Sequence, residues 1–209
     1  MKIIAIEGNV AAGKSTLVEA LASHLTTLTS EEWGTIKEPV DEDPEFHRLL
    51  KQFIAHPTDA NKRAEFQMYI TRSRQGLLRD LKDGNYIVER SLFSDLVFTQ
   101  ANMLSTEGPT GAYQAAYYDI KDHLLGYPKV DLVVYLDRSP EACYNAMVGR
   151  ARDGESGYTL DYFTDLHNFH KACLPQIARE YGSCYLNIDL GWMFPDARIV
   201  APLVLESIK

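Results

Sequence analysis

The stretch Gly8-Asn9-Val10-Ala11-Ala12-Gly13-Lys14-Ser15-Thr16 confines the fold more tightly than any other part of the chain. It fits the pattern G-x-x-x-x-G-K-[ST], and its flanks are as informative as the pattern itself. Ile3-Ile4-Ala5-Ile6 precedes it as an apolar run that reads as a buried strand. Leu17 to Leu25 follows, with Leu17, Val18, Leu21 and Leu25 on one helical face. In such a strand–loop–helix unit the glycines let the backbone curl, so that several N–H groups converge on one point. The helix N-terminus adds the positive end of its dipole, and the group that fits there is a phosphate. Lys14 is expected at the β- and γ-phosphates of a nucleoside triphosphate, with the Ser15 hydroxyl on Mg²⁺.

The 209 residues, 45% of them hydrophobic, suit a single α/β domain spanning 1–209. A net charge of −8 argues against a nucleic-acid partner, which needs a basic surface. It leaves nucleotide binding open, because a phosphate loop makes its own local positive field. Cys143, Cys173 and Cys184 are scattered, lack metal-ligand spacing and read as reduced thiols. No apolar run approaches the length of a membrane span. The first strand starts so early that no leader peptide is expected. The location these features suggest is cytoplasmic, with no membrane partner.

Four further runs read as strands: Thr35 to Glu38, Tyr86 to Val88, Asp131 to Leu136 and Ser183 to Ile188. Helical patterns lie between them, at Pro44–Ala55 with Asp43 as cap, Asp59–Lys82, Ser94–Ser105, Ala112–Leu125, Pro140–Arg150, Asp161–Tyr181 and Pro195–Ile208. Strands alternating with helices indicate a parallel sheet covered on both faces. Glu107 to Gly111 reads as a turn-rich loop. The polar stretch from Arg152 to Gly157 reads as a lid, about 150–157 with its approach.

Ligands of open α/β sheets bind at the carboxyl ends of the strands. Glu7-Gly8, Glu38-Pro39, Glu89-Arg90-Ser91 and Asp137-Arg138 stand at those ends, and their carboxylates are expected to face the phosphate loop. Phosphoryl transfer needs an orienter or base for the acceptor, a metal contact and cations over the moving group. Glu38, its backbone held extended by Pro39, is the candidate base. Glu89 is the candidate Mg²⁺ contact, directly or through water. Arg90 can bridge the acceptor and the incoming phosphate. Arg150 and Arg152 can reach over the triphosphate when the lid closes.

With these residues in view, the chain resembles the deoxynucleoside kinases, in particular the branch containing deoxycytidine, deoxyguanosine and bacterial-type deoxyadenosine kinases. The resemblance rests on Ile6 to Thr16, Glu38-Pro39-Val40, Phe66-Gln67, Glu89-Arg90-Ser91 with Asp95, Pro140-Glu141, Arg150-Ala151-Arg152, and Leu160, Tyr162, Leu166, His167 and His170. It implies a P-loop kinase fold, a five-stranded parallel sheet of order 2-3-1-4-5 flanked by helices, and a homodimer. It implies transfer of the γ-phosphate of ATP to the 5′-hydroxyl of a deoxynucleoside. Carried over residue by residue, Glu38 would be the base, Arg90 its assistant, and Glu89 the partner of the Mg²⁺ site. Gln67 would pair with the nucleobase and Phe66 would pack on it. Glu155 would hold the sugar 3′-hydroxyl, and Asp189, Leu190 and Gly191, with Trp192 beyond, would lie near the adenine of ATP. Arg74 and Asp95 match the polar pair of the branch that accepts deoxycytidine and deoxypurines; thymidine-preferring relatives are apolar or small there.

The chain also departs from the family. Ala146 stands where a further lid arginine is common, and Gly154 where many members have a second acid. The sugar-contacting tyrosine falls at Phe53 or Ile54, neither of which carries a hydroxyl. Three alternatives remain open at this point: a thymidine or broad-specificity kinase, a nucleoside monophosphate kinase, and a non-catalytic nucleotide-binding subunit. Arg63, Arg72, Arg74 or Arg79 could supply the extra acceptor-side cation that a monophosphate requires, although Arg72 and Arg79 read as solvated.

Overall fold

A computed structural model describes residues 1–38, 43–79, 81–105, 110–152 and 154–208. Pro39 and Val40, Asp80, Glu107 to Pro109, Asp153 and Lys209, which fall within the motifs and segments above, lie outside the described residues. The elements run β1 (Lys2–Gly8), α1 (Lys14–Thr29), β2 (Trp33–Ile36), α2 (Pro44–Ala55), α3 (Ala60–Leu78), β3 (Asn85–Glu89), α4 (Leu92–Ser105), α5 (Gly111–Leu124), β4 (Leu132–Arg138), α6 (Pro140–Arg150), α7 (Leu160–Glu180), β5 (Cys184–Gly191) and α8 (Ala197–Ser207). The strands form one five-stranded parallel sheet of order β2-β3-β1-β4-β5, which puts β1 and its following loop at the centre.

The sheet is buried on both faces, as the near-continuous apolar strands require. Ile4, Ile6, Leu132, Val134 and Leu136 point to the side covered by α1 and α8. Their alternates Ile3, Ala5, Val133 and Tyr135 point to the side covered by α4, α5 and α7. This two-residue period sorts the central strands between two cores. A smaller cluster of Leu49, Leu50, Phe53 and Phe66 packs α2 against α3. Among the described residues no helix is long and apolar enough to cross a membrane.

Local chemistry fixes several boundaries. Asp43 caps α2 by accepting from Glu45 N and Phe46 N, with Pro44 at the first helical position. Ser139 and Pro140 open α6 in the same way. The strand expected at Thr35–Glu38 is displaced toward the N-terminus. Trp33, buried in the core, pairs with Asn85, and the ladder ends at Ile36 opposite Val88. Glu38 therefore stands beyond the strand rather than closing it. α3 ends at Leu78, short of the expected Lys82. β5 runs three residues past the expected Ile188 and takes in Asp189 to Gly191.

Candidate active site

The loop between β1 and α1 is built by backbone. Gly13 takes φ 96° and precedes α1 without a side-chain cap, leaving the first N–H groups of the helix for an anion. A Cβ on Gly13 would lie 2.8 Å from the Pro195 ring, so only glycine fits between the loop and the segment before α8. Asn9 ties the loop to α7 by donating from Nδ2 to the Phe163 carbonyl at 2.8 Å, while its Oδ1 accepts from Val10 N at 2.8 Å. Lys14 Nζ donates to the Asn9 carbonyl at 2.7 Å. Burial, reinforced by the nearby Arg90, lowers the Lys14 pKa to about 7; a buried ammonium regains its charge when an anion arrives.

Val10, Ala11, Lys14 and Ser15 form one wall of a cavity of about 190 Å³. Gly8, Asn9, Ala12 and Gly13 shape the loop behind it; Ala12 is wholly in the core and Thr16 faces solvent. Ser15 Oγ donates to Glu89 Oε1 at 2.7 Å, so the two expected metal contacts come together. Their oxygens suit a hard cation. Among the described residues no three His, Cys, Asp or Glu side chains cluster as ligands. A cation at Ser15 and Glu89 would complete its shell with phosphate and water oxygens.

Separate segments supply the opposite wall: Glu38 beyond β2, Phe66, Gln67 and Arg74 on α3, Glu89 and Arg90 at the end of β3, Asp95 on α4, and Arg150, Arg152 and Glu155 around the lid. Arg74, only 5% exposed, makes ion pairs with both Glu38 and Asp95. Gln67 Nε2 donates to the same Asp95 oxygen at 3.0 Å. Arg90 Nε lies 3.7 Å from the second Glu38 oxygen, and its guanidinium sits over the Phe98 ring. Burial would raise the pKa of Glu38, but Arg74 and Arg90 overcome it and hold the carboxyl below its ordinary value. Asp95 shifts the other way, because burial outweighs Arg74 there. Two carboxylates flanking one guanidinium thus diverge in basicity.

Arg90 has φ 65°, a strained value for a non-glycine residue. Glu7 braces this turn by accepting from Ser91 N at 2.8 Å, Ser91 Oγ at 2.7 Å and Ser94 Oγ. The expectation that all four strand-end carboxylates face the phosphate loop is corrected in two places. Glu7 is fully buried beneath Arg90, and burial raises its pKa. Asp137 turns to Lys171 at 3.1 Å and His167 at 3.7 Å, away from the cavity.

Arg150 Nη2 donates to both Glu155 oxygens, at 2.7 and 2.8 Å, and Arg152 Nη1 lies 3.5 Å from one of them. The lid acid, nearly buried, is thereby engaged by both lid arginines while all three line the cavity. Asp189, Leu190 and Gly191 do not line it. Leu190 lies in the core, and Asp189 is exposed and accepts from Gly191 N at 3.2 Å. The residue that joins this end of β5 to the phosphate loop is Arg138, to which sequence reasoning gave no role. It donates to the Ala11 carbonyl at 3.0 Å and the Trp192 carbonyl at 3.4 Å, and stacks over Phe194 at 3.7 Å.

A family model described as deoxynucleoside kinase matches residues 4–197. The chain belongs to the deoxynucleoside kinase family. Deoxycytidine kinase 1 of Xenopus laevis is 29% identical to this kinase, with 100% of this chain and 89% of the relative covered. Deoxycytidine kinase of Rattus norvegicus is 30% identical over 83% of this chain and 75% of its own. Deoxyguanosine kinase of Dictyostelium discoideum is 27% identical over 90% and 64% respectively. The fold agrees with that of deoxyadenosine kinase from M. mycoides solved with bound dCTP, at a TM-score of 0.72, 24% identity and coverage of 98% and 97%. The kinase is a phosphotransferase that uses an ATP-type donor on deoxynucleosides.

On one wall of the kinase's cavity, sequence reasoning named Tyr162 without a role and passed over Tyr158. Phe53 is buried there without a hydroxyl, as expected, but Tyr158 and Tyr162 pack against it with ring centroids 6.3 and 6.2 Å away. They stack on each other at 5.0 Å and line the same cavity. Burial raises both phenol pKa values, so both stay protonated hydrogen-bond donors. The signal for Tyr158 was its place just after Glu155, in a stretch too polar to suggest a ring packed on Phe53.

Proposed function

We propose that this kinase holds ATP·Mg²⁺ over the Gly8–Thr16 loop and phosphorylates the 5′-hydroxyl of deoxycytidine or a deoxypurine nucleoside. The observation that carries the reading is the Gln67–Asp95–Arg74 cluster beside Glu38 in one cavity. An amide, a carboxylate and a guanidinium together offer donors and acceptors to a base that bears an amino or carbonyl group. A 5-methyl group would meet polar atoms there. The deoxycytidine and deoxyguanosine kinases among the relatives support the same choice.

In this reading the base lies at Gln67, packed on Phe66, and the sugar lies toward Glu155 with Tyr158 and Tyr162 nearby. The 5′-oxygen attacks the γ-phosphorus, the bond to the β-phosphate oxygen breaks, and ADP leaves. Glu38 takes the hydroxyl proton. Arg90 orients Glu38 and faces the transferring group, while Lys14, Arg150 and Arg152 offset the charge on the phosphates. Ser15 and Glu89 would hold a Mg²⁺ ion, which would supply further charge compensation for the triphosphate. The polypeptide acts as one domain with a lid at about 150–157, as a cytoplasmic homodimer serving nucleotide salvage.

A monophosphate acceptor fits less well. Arg72 and Arg79 are exposed, and Arg63 donates to the Pro57 carbonyl at 2.6 Å and to Asn102 at 2.8 Å. The test is ATP consumption with the four natural deoxynucleosides and their monophosphates, with Lys14→Ala as the blank. Turnover of deoxycytidine or a deoxypurine nucleoside above thymidine is the expected result. Thymidine ranking first would overturn the base assignment, and turnover on monophosphates alone would overturn the acceptor.

A further inference from the structure

Arg74 belongs to two sites at once. One arm of its guanidinium holds Asp95, which Gln67 also contacts, and the other holds Glu38. Its Nε has no partner among the described residues, and neither does Asp95 Oδ2, although both atoms are buried. Part of the cluster is therefore unsatisfied, while both Glu38 oxygens already face cations, Arg74 on one and Arg90 on the other. A buried polar atom without a partner is costly, so a base edge that satisfies Arg74 and Asp95 draws the cluster toward itself. A carboxylate between two guanidinium groups is a poor acceptor for a hydroxyl proton, so Glu38 gains competence as Arg74 departs.

We infer that Arg74 is a positioning residue that holds Glu38 in check until a nucleobase engages it, so that base recognition and readiness for phosphoryl transfer are one event. The inference rests on Glu38 serving the 5′-hydroxyl. It explains how one guanidinium can select the substrate and restrain turnover in its absence. The cost of the restraint falls on acceptors that present a 5′-hydroxyl without a base.

The probe is 1,2-dideoxyribose, which carries the 5′-hydroxyl and no base, compared at saturation with the best natural deoxynucleoside. The wild-type enzyme is expected to turn the sugar over poorly. Arg74→Met is expected to raise kcat on the sugar by roughly tenfold while lowering kcat/KM on the deoxynucleoside by a similar factor. A substitution that merely loosened the site would lower both. Should the single variant fail to fold because Asp95 is left unpaired, Arg74→Met with Asp95→Asn removes that charge and carries the same expectation. An unchanged or lower kcat on the sugar in the folded variant overturns the inference. A wild-type enzyme inactive on every deoxynucleoside overturns the reading beneath it, which is a separate and recognisable result.

Discussion

Around the phosphate loop, consecutive residues from Gly8 to Thr16 supply backbone, one lysine and one hydroxyl. Across the cavity, Glu38, Gln67, Arg74, Arg90, Asp95 and Glu155 arrive from segments far apart in the chain. The two walls also differ in charge. Lys14 rests on a backbone carbonyl, and its lowered pKa reports an ammonium awaiting an anion. Arg74, Arg90, Arg150 and Arg152 each already face a carboxylate. The donor wall offers its ammonium to an anion, whereas the cations of the acceptor wall are already paired with carboxylates. In the proposed reading, affinity on the first side comes from pairing the Lys14 ammonium with phosphate, and selectivity on the second comes from exchanging partners.

Glu38→Gln tests the acceptor wall hardest. It keeps the shape and removes the base, so kcat should fall by about 10²–10⁴-fold while nucleoside binding by calorimetry stays near normal. A near-normal kcat would remove Glu38 as base. Lys14→Ala tests the donor wall: kcat should fall by about 10²–10³-fold, ATP affinity should weaken, and the deoxynucleoside Kd should not move. A large change in that Kd would mean that the walls are not separable. Tyr158→Phe deletes a single hydroxyl from the acceptor wall. KM for the deoxynucleoside should rise by a few-fold with kcat little changed, as expected for a contact of about 1 kcal/mol; an unaltered KM would confine Tyr158 to packing.

The last test leaves catalysis aside and concerns the layer beneath the acceptor wall. His170 is fully buried, stacked on Tyr135 and edge-on to Phe98, and burial lowers its pKa from 6.5 to about 3. The unfolded chain therefore binds the extra proton first, and stability falls as pH drops from about 6.5 toward 3, by at most ~1.4 kcal/mol per pH unit. Chemical denaturation across that range should show a shallower slope in His170→Phe. An identical slope in both proteins would assign the acid sensitivity to other groups.

The donor wall was legible because it is local. A strand, a loop and a helix that touch in space also touch in sequence, and the boundaries of α2 and α6 were legible for the same reason through Asp43-Pro44 and Ser139-Pro140. The acceptor wall was only half legible. Glu38, Gln67, Arg74, Asp95 and Glu155 could be named through family motifs, but no motif shows that one guanidinium joins Glu38 to Asp95. Glu7 was misread because its partners Ser91 and Ser94 lie more than 80 residues away and no local pattern points to them. The displacement of β2 has a similar cause: Trp33 enters the core through tertiary packing, while the local pattern favoured Thr35 to Glu38.

The contact between Gly13 and Pro195 has a consequence for how the molecule comes into being. The phosphate loop is synthesised well before the Phe194-Pro195 surface that backs it and the α8 residues that share its core. Until those residues follow, a nascent chain carries the complete loop sequence without the wall that shapes it. Nucleotide can therefore favour the assembled loop only once that wall is in place, and a change that disturbed α8 would reach the loop from a remote part of the sequence.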